Sequence, residues 1–174
     1  YKARQKGLKR IVALKVLLPK NISQEELARF LNEAKLSAKL EHPNIIKVYT
    51  AAVFEDKPFI AMSYIKGYSF GGYYNEKRPS LSETLRILQK VADALHHAHK
   101  EGIVHRDIKP GNIMIDAEGN PYLMDFGVAH CGQSNDFSLT KTGQVLGTPR
   151  YMSPEQAKGH NKDLDGRSDV YALG

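Results

Sequence analysis

The sequence predicts an α+β fold, with strand-like runs in the first part of the chain and helical stretches between and after them. Three observations predict it. Arg10 to Leu18 alternates with the period of two of a strand, and two further strand-like runs follow near Ile45–Phe54 and Pro58–Ile65, separated by the turn Glu55-Asp56-Lys57. Two capping boxes, Ser23-Gln24-Glu25-Glu26 and Ser80-Leu81-Ser82-Glu83, open stretches with helical apolar spacing. Between later apolar runs lies His105-Arg106-Asp107-Ile108-Lys109-Pro110-Gly111-Asn112, a stretch too rich in charge to be core.

In the first strand, Ile11, Ala13, Lys15 and Leu17 share one face, and Val12, Leu14, Val16 and Leu18 the other. Lys15 in so apolar a run either keeps its head in water at an edge or meets a partner. The helix opened by Ser23 is expected to run to about Lys39 with Leu27, Phe30, Leu31, Ala34 and Ala38 as its buried stripe, and Glu33 at the margin of that stripe. His42-Pro43-Asn44 breaks it. Gly67, Gly71 and Gly72 follow the strands and are expected to loosen the joining segment. In the second long helix Leu81, Leu85, Leu88, Ala92, Leu95 and Ala98 trace the expected inner face up to Gly102. His96 and His99 have a helical ligand spacing but no third ligand, so packing and surface roles suffice for the histidines here.

Composition narrows the class. The 174 residues are 41% hydrophobic, enough for one sizeable core, and 25 Lys+Arg against 19 Asp+Glu give a net charge of +6. Lys2, Arg4, Lys6, Lys9, Arg10, Lys15 and Lys20 crowd the first twenty residues, which a solvated strand pair and its turn explain more simply than a nucleic-acid or membrane surface. Cys131 is alone, so no internal disulfide framework exists, in keeping with a reducing cytosol. No apolar run reaches the ~18 residues of a membrane helix, and the start has no signal-peptide grammar.

Charge packed into residues 105–112, answered by Asp125-Phe126-Gly127, points to a charged ligand. For a nucleoside triphosphate with magnesium, Asp125 and Asn112 offer the oxygens a small hard cation takes from protein. Asp107 could orient a hydroxyl and accept its proton, and Lys109 could neutralise a phosphoryl group in transfer. With Ile113-Met114-Ile115, the turn Asp116–Asn120 and Tyr122-Leu123-Met124 between them, these two motifs closely resemble the catalytic loop and metal-binding segment of the protein kinase family. The wording His-Arg-Asp-Ile-Lys-Pro-Gly-Asn most resembles the bacterial Ser/Thr members.

The resemblance implies a bilobal protein-kinase-like fold, partial in this chain, with residues 1–65 in the small lobe and 66–174 in the large one. It implies ATP and Mg2+, with Mn2+ an allowed substitute, in the cleft between them. Val12-Ala13-Leu14-Lys15 resembles the strand whose lysine holds the α- and β-phosphates, with Ala13 beside the adenine and Glu33 as the ion-pair partner of Lys15. Met62 would guard the back of the adenine pocket, Ser63-Tyr64-Ile65 would be the hinge whose backbone bonds the purine, and Met114 would contact the cofactor. Ser63 and Ser69 stand where many members have acids. Gly147-Thr148-Pro149-Arg150-Tyr151-Met152-Ser153-Pro154-Glu155 resembles the end of an activation segment, with Ser153 for the usual alanine. Thr140 and Thr142 before it resemble the paired sites of autophosphorylation, and Arg106 the residue that grips their phosphates. Asp169 would bond the backbone of the catalytic loop.

The implied activity is transfer of the γ-phosphoryl group of ATP to Ser/Thr hydroxyls of proteins, with pairing of two kinase chains a further partner the resemblance allows. A cytoplasmic place follows, with a membrane-anchored receptor as one setting. A non-catalytic scaffold usually lacks one of the residues here present as Lys15, Asp107 and Asp125. A small-molecule phosphotransferase of the same fold lacks the activation segment, and a nucleic-acid binder is suggested by charge alone. In the family, a glycine-rich loop precedes the position of Tyr1 and further helices follow Gly174. Residues 1–174 alone are therefore expected to be aggregation-prone and catalytically silent, with Glu155 missing its arginine partner.

Overall fold

The computed structural model describes residues 1–17, 23–126, 149–159 and 164–174. A four-stranded antiparallel sheet comes first, in the order β1-β2-β4-β3, from β1 (Lys2–Gln5), β2 (Arg10–Val16), β3 (Val48–Phe54) and β4 (Lys57–Ser63). Lys2 pairs with Ala13 and Gln5 with Arg10, so Lys2, Arg4, Lys6 and Lys9 sit exposed on a hairpin and its turn. β3 and β4 are joined through Glu55 and Asp56, both left-handed (φ 47° and 57°), the twist that a two-residue hairpin turn requires.

Helix α1 (Gln24–Ser37) covers one face of this sheet, and Phe30, Ala34, Ile46, Ile60 and Met62 form the core between them. Ala13 and Leu17 pack against that core while Val12, Leu14 and Val16 look the other way, as the alternation predicts. Two expectations need correcting. The stripe of α1 ends on Ser37, which is buried, and not on Ala38, which is exposed, because seven residues from Phe30 return closer to its azimuth than eight. Ile45 and Ile46 do not start β3. Ile45 makes a parallel bridge to Leu123, Ile46 N donates to Leu123 O (2.9 Å), and Leu123 N donates to Asn44 O (2.8 Å), so their backbone is satisfied in the second sheet.

That sheet is three-stranded and antiparallel, in the order β5-β6-β7, built from β5 (Gly67–Ser69), β6 (Ile113–Asp116) and β7 (Pro121–Leu123). Asp116 shapes the β6–β7 turn, its Oδ1 accepting from Glu118 N (3.1 Å) and Asn120 N (2.7 Å). Helices α2 (Phe70–Lys77), α3 (Leu81–Lys100), α4 (Pro154–Ala157) and α5 (Gly166–Leu173), with 3-10 turns at Pro110–Asn112 and Pro149–Tyr151, complete the described elements. Gly67 does not loosen the joining segment. It lies in β5, where an added Cβ would fall on the Ile115 carbonyl of β6, while Gly71 and Gly72 are helical residues of α2. Ser69 caps α2, accepting from Gly72 N (3.2 Å).

In α3 the inner face is rotated from the expected one. Ile87, Val91, Ala94, Leu95 and Ala98 are buried, whereas Leu81 and Leu85 are 75% and 56% exposed. Two apolar stripes wind along this helix at the same spacing, and the one carrying the β-branched pair meets β7 and α5. Its capping box is half made. Ser80 Oγ accepts from Glu83 N (3.2 Å), but the Glu83 carboxylate turns to α2 and accepts from the Tyr73 hydroxyl (2.5 Å). No helix among the described residues is long and apolar enough to cross a membrane.

The close approach at β5 yields a test. Gly67→Ala should destabilise the protein by about 1–3 kcal/mol, read as a lowered urea midpoint, because a strand would have to shift. Gly7→Ala, where nothing lies within 4 Å, should leave the midpoint unchanged.

Candidate active site

The loop of residues 105–112 is fixed from beneath by α5. Asp165 caps that helix, accepting from Arg167 N (2.8 Å). One turn on, the carboxylate of Asp169, 1% exposed, accepts from His105 N (2.8 Å), Arg106 N (2.7 Å) and His99 Nε2 (2.7 Å). The two backbone bonds are those the resemblance implied. The third, from α3, was not foreseen. No local pattern marks His99, since its partner lies seventy positions away in sequence.

His105 is fully buried. Its Nδ1 accepts from Asp107 N (3.2 Å), so the ring proton resides on Nε2 and is donated to Met124 O (2.8 Å). Its ring packs against Phe126 with centroids 4.6 Å apart, and Phe126 O accepts from Ser37 Oγ of α1 (3.3 Å). Burial pushes the imidazole below its ordinary pKa, against the opposing pull of Asp169 and the Met124 carbonyl.

Above this base the polar groups converge. Lys109 Nζ lies 2.7 Å from Asp107 Oδ2, and Asn112 Nδ2 donates to the same oxygen (2.8 Å) and to Asp107 O (2.8 Å). Both side-chain contacts fall on Oδ2, and no hydrogen bond to Oδ1 is seen among the described residues. A short 3-10 turn, Pro110–Asn112, delivers Asn112 to the start of β6, and Met124 N donates to Asn112 O (3.0 Å), tying the loop to the residue before Asp125.

Asp125 meets Lys15 of β2, Nζ to Oδ1 2.8 Å. The distance is that of an ion pair, yet the angles of a hydrogen bond are not met, so among the described residues the buried Oδ1 has no hydrogen-bond partner and the contact is Coulombic. Arg106 and Asp125 both hold left-handed backbone, φ 68° and 65°, which non-glycine residues adopt at some energetic cost. Arg106 Nε is likewise buried and has no partner among the described residues.

The remaining expected residues divide. Met62 is buried, with Ala13 as its partner across the β2–β4 pair, and Ala13 and Ile65 pack on the same core. Met114 lies on the face of β6 opposite the buried Ile113 and Ile115. Ser63 turns its hydroxyl to Tyr49. The Glu33 side chain, Gly127, Thr140, Thr142 and Thr148 lie outside the described residues.

Two features at the end of the segment go beyond what the resemblance implied. Ser153 is fully buried and completes a capping box with Gln156, whose Nε2 donates to Arg106 O (2.7 Å), so the serine standing for alanine starts α4. Glu155 finds a serine where the resemblance implied an arginine. Its carboxylate accepts from Ser168 Oγ (2.5 Å), and that bond, the first of several, holds it below the usual carboxylate range.

A family model described as a protein kinase domain matches residues 1–174. The serine/threonine-protein kinase pkn3 of Myxococcus xanthus is 43% identical, over 100% of this chain and 33% of that protein. The serine/threonine-protein kinase PrkC of Bacillus subtilis is 40% identical, over 100% of this chain and 26% of that protein. The solved PknI kinase domain of Mycobacterium tuberculosis aligns with a TM-score of 0.77 at 32% identity, over 99% of this chain and 64% of that one. The chain thus spans a third or less of the length of these two curated relatives.

The burial of His105 fixes the sign of a pH effect. Its folded pKa is lowered, so below about 6.5 the unfolded chain takes up a proton that the folded one refuses, and stability present above that pH is lost as pH falls. His42 shifts in the same direction, by burial and by the nearby His97. Each histidine contributes a slope of at most about 1.4 kcal/mol per pH unit. Urea midpoints should therefore drop between pH 7.5 and pH 5.5, and the drop should shrink in His105→Gln.

Proposed function

The chain belongs to the protein kinase family, and on that premise we propose that its cleft binds ATP with Mg2+ and transfers the γ-phosphoryl group to serine and threonine hydroxyls of proteins. The observation that carries this reading is the convergence of Asp107, Lys109 and Asn112 with the Lys15–Asp125 pair, on a loop anchored to Asp169. The small lobe is residues 1–65 and the large lobe takes in residues 66–174.

The residues fit the cation. Asp125 Oδ1 is a buried, hard oxygen whose contact with Lys15 is Coulombic and which has no hydrogen-bond partner among the described residues, and the amide nitrogen of Asn112 is engaged by Asp107, leaving its oxygen as the coordinating end. Two such protein oxygens are what Mg2+ usually takes, and Mn2+ accepts the same set. Bound metal supplies positive charge to the phosphates. Lys15 holds the α- and β-phosphates, and Ala13, Met62, Ile65 and Met114, with the backbone at Ser63, line the place of the adenine. Glu33, on α1, is assigned as the second partner of Lys15.

Asp107 orients the acceptor hydroxyl through Oδ1 and takes its proton as the hydroxyl oxygen bonds the γ-phosphorus and the bond to the β–γ bridging oxygen breaks, releasing ADP. Lys109, held on Oδ2, lends its charge to the phosphoryl group in transfer. The names of the relatives support Ser/Thr as acceptors, and Thr148 is assigned to acceptor selection. Phosphate on Thr140 or Thr142, carrying about −1.5 to −2 charge, would meet Arg106, whose buried Nε has no partner among the described residues. Autophosphorylation between two such chains and a cytoplasmic setting complete the reading.

The test uses the full-length protein with MgATP and a protein acceptor. Asp125→Ala and Asp107→Asn should each lower kcat by about a hundredfold or more, and mass spectrometry of products should find phosphoserine and phosphothreonine. Turnover by Asp125→Ala at the wild-type rate would overturn the assignment. For regulation, the double variant Thr140→Ala, Thr142→Ala should lose most of the activity that autophosphorylation adds. Full activity in that variant, with no phosphate on either threonine of the wild type, would remove the switch.

A further inference from the structure

The face of the first sheet that looks away from α1 carries a polar relay ending where the chain leaves for the second sheet. Val48 pairs with Met62 and Thr50 with Ala61, so the register shifts and Tyr49 is the extra residue of a β-bulge. A bulge re-aims side chains. Val48 and Ala51 point into the core, Thr50 faces away with Val12 and Phe59, and Tyr49 is turned onto the last residue of β4. Its hydroxyl and Ser63 Oγ share a hydrogen bond of 3.0 Å.

Tyr49 is itself held. The guanidinium carbon of Arg10 lies 3.5 Å from the centre of its ring, and Arg10 Nε donates to Gln5 Oε1 (2.6 Å). Ser63 N donates to Lys47 O (2.9 Å). Ser63 is thereby fixed through main chain and side chain together, immediately before Tyr64–Lys66 carries the chain to β5.

We propose that Tyr49 is a positioning residue for the nucleotide, fixing the main chain at Ser63–Ile65 through the Ser63 hydroxyl, with Arg10 and Gln5 holding the tyrosine ring. The inference rests on the proposed reading of Ser63–Ile65 as the purine-binding segment. Contacts made by main chain gain nothing from side-chain chemistry, so their strength depends on how far the backbone is ordered before the ligand arrives. The relay does that ordering from the far side of the sheet, without touching the nucleotide. It acts on binding and not on phosphoryl transfer.

The experiment is steady-state kinetics with MgATP and direct titration with ADP on the full-length protein. Tyr49→Phe keeps the ring and its contact with Arg10 and removes only the hydroxyl. It should raise KM for ATP and Kd for ADP about three- to tenfold, with kcat at saturating ATP unchanged. Ser63→Ala should do the same, and the double variant should be no worse than either single one. Wild-type KM and Kd in Tyr49→Phe, or effects of the two substitutions that add, would overturn the relay. A wild-type protein that binds neither ATP nor ADP would instead overturn the kinase reading, and the relay would fall with it.

Discussion

Asp169 places a carboxylate where water cannot reach it, and the site depends on how that charge is satisfied. Alone, such a group would be costly to bury. The N–H groups of His105 and Arg106 and the Nε2 of His99 converge on it, making the burial tolerable and giving the loop a fixed origin. Arg106 is then clamped from both sides, its N–H on Asp169 and its carbonyl under Gln156. The left-handed backbone at Arg106 persists because its neighbours over-determine it. Helix α5, which contacts no reacting group, is in this sense the foundation of the chemistry.

From that origin the order passes upward through buried contacts. His105 packs on Phe126 and bonds Met124 O, so the two segments that bear Asp107 and Asp125 are built as one unit. Ser37 reaches Phe126 O from α1, and Lys15 reaches Asp125 from β2. Helix α1 thus reaches the site with a hydroxyl and the first sheet with an ammonium, at a place where the groups are partly screened from solvent. Charge attracts over a few ångströms there more strongly than at an open surface.

Much of this was legible in sequence because the signals are local. The period of two in Arg10–Val16, the serine cap at Ser80, and the short spacings around Asp107 and Asp125 each reflect constraints among near neighbours. What sequence left open was set by distant partners. Which of two stripes of α3 faces inward depends on β7 and α5, and whether Ile45 joins the first sheet or the second depends on Leu123. Gly67 looked like a flexible point and is a point of close packing, since the Ile115 carbonyl that excludes a side chain lies far along the chain. The pairing of Ser168 with Glu155 and of His99 with Asp169 was invisible for the same reason. Ser153 with Gln156 was the exception, a capping-box pattern readable in advance.

The bridge between Ile45 and Leu123 has a mechanical consequence. The first sheet is joined to the second covalently through Tyr64–Lys66 and, separately, by backbone hydrogen bonds from residues 44–46 to β7. A body held at one point can swivel in any direction, whereas one held at two can turn only about the line between them. Two separate attachments therefore restrain twisting between the sheets more than the covalent link alone would. The Lys15–Asp125 contact of 2.8 Å spans that joint, linking β2 to the segment that follows β7.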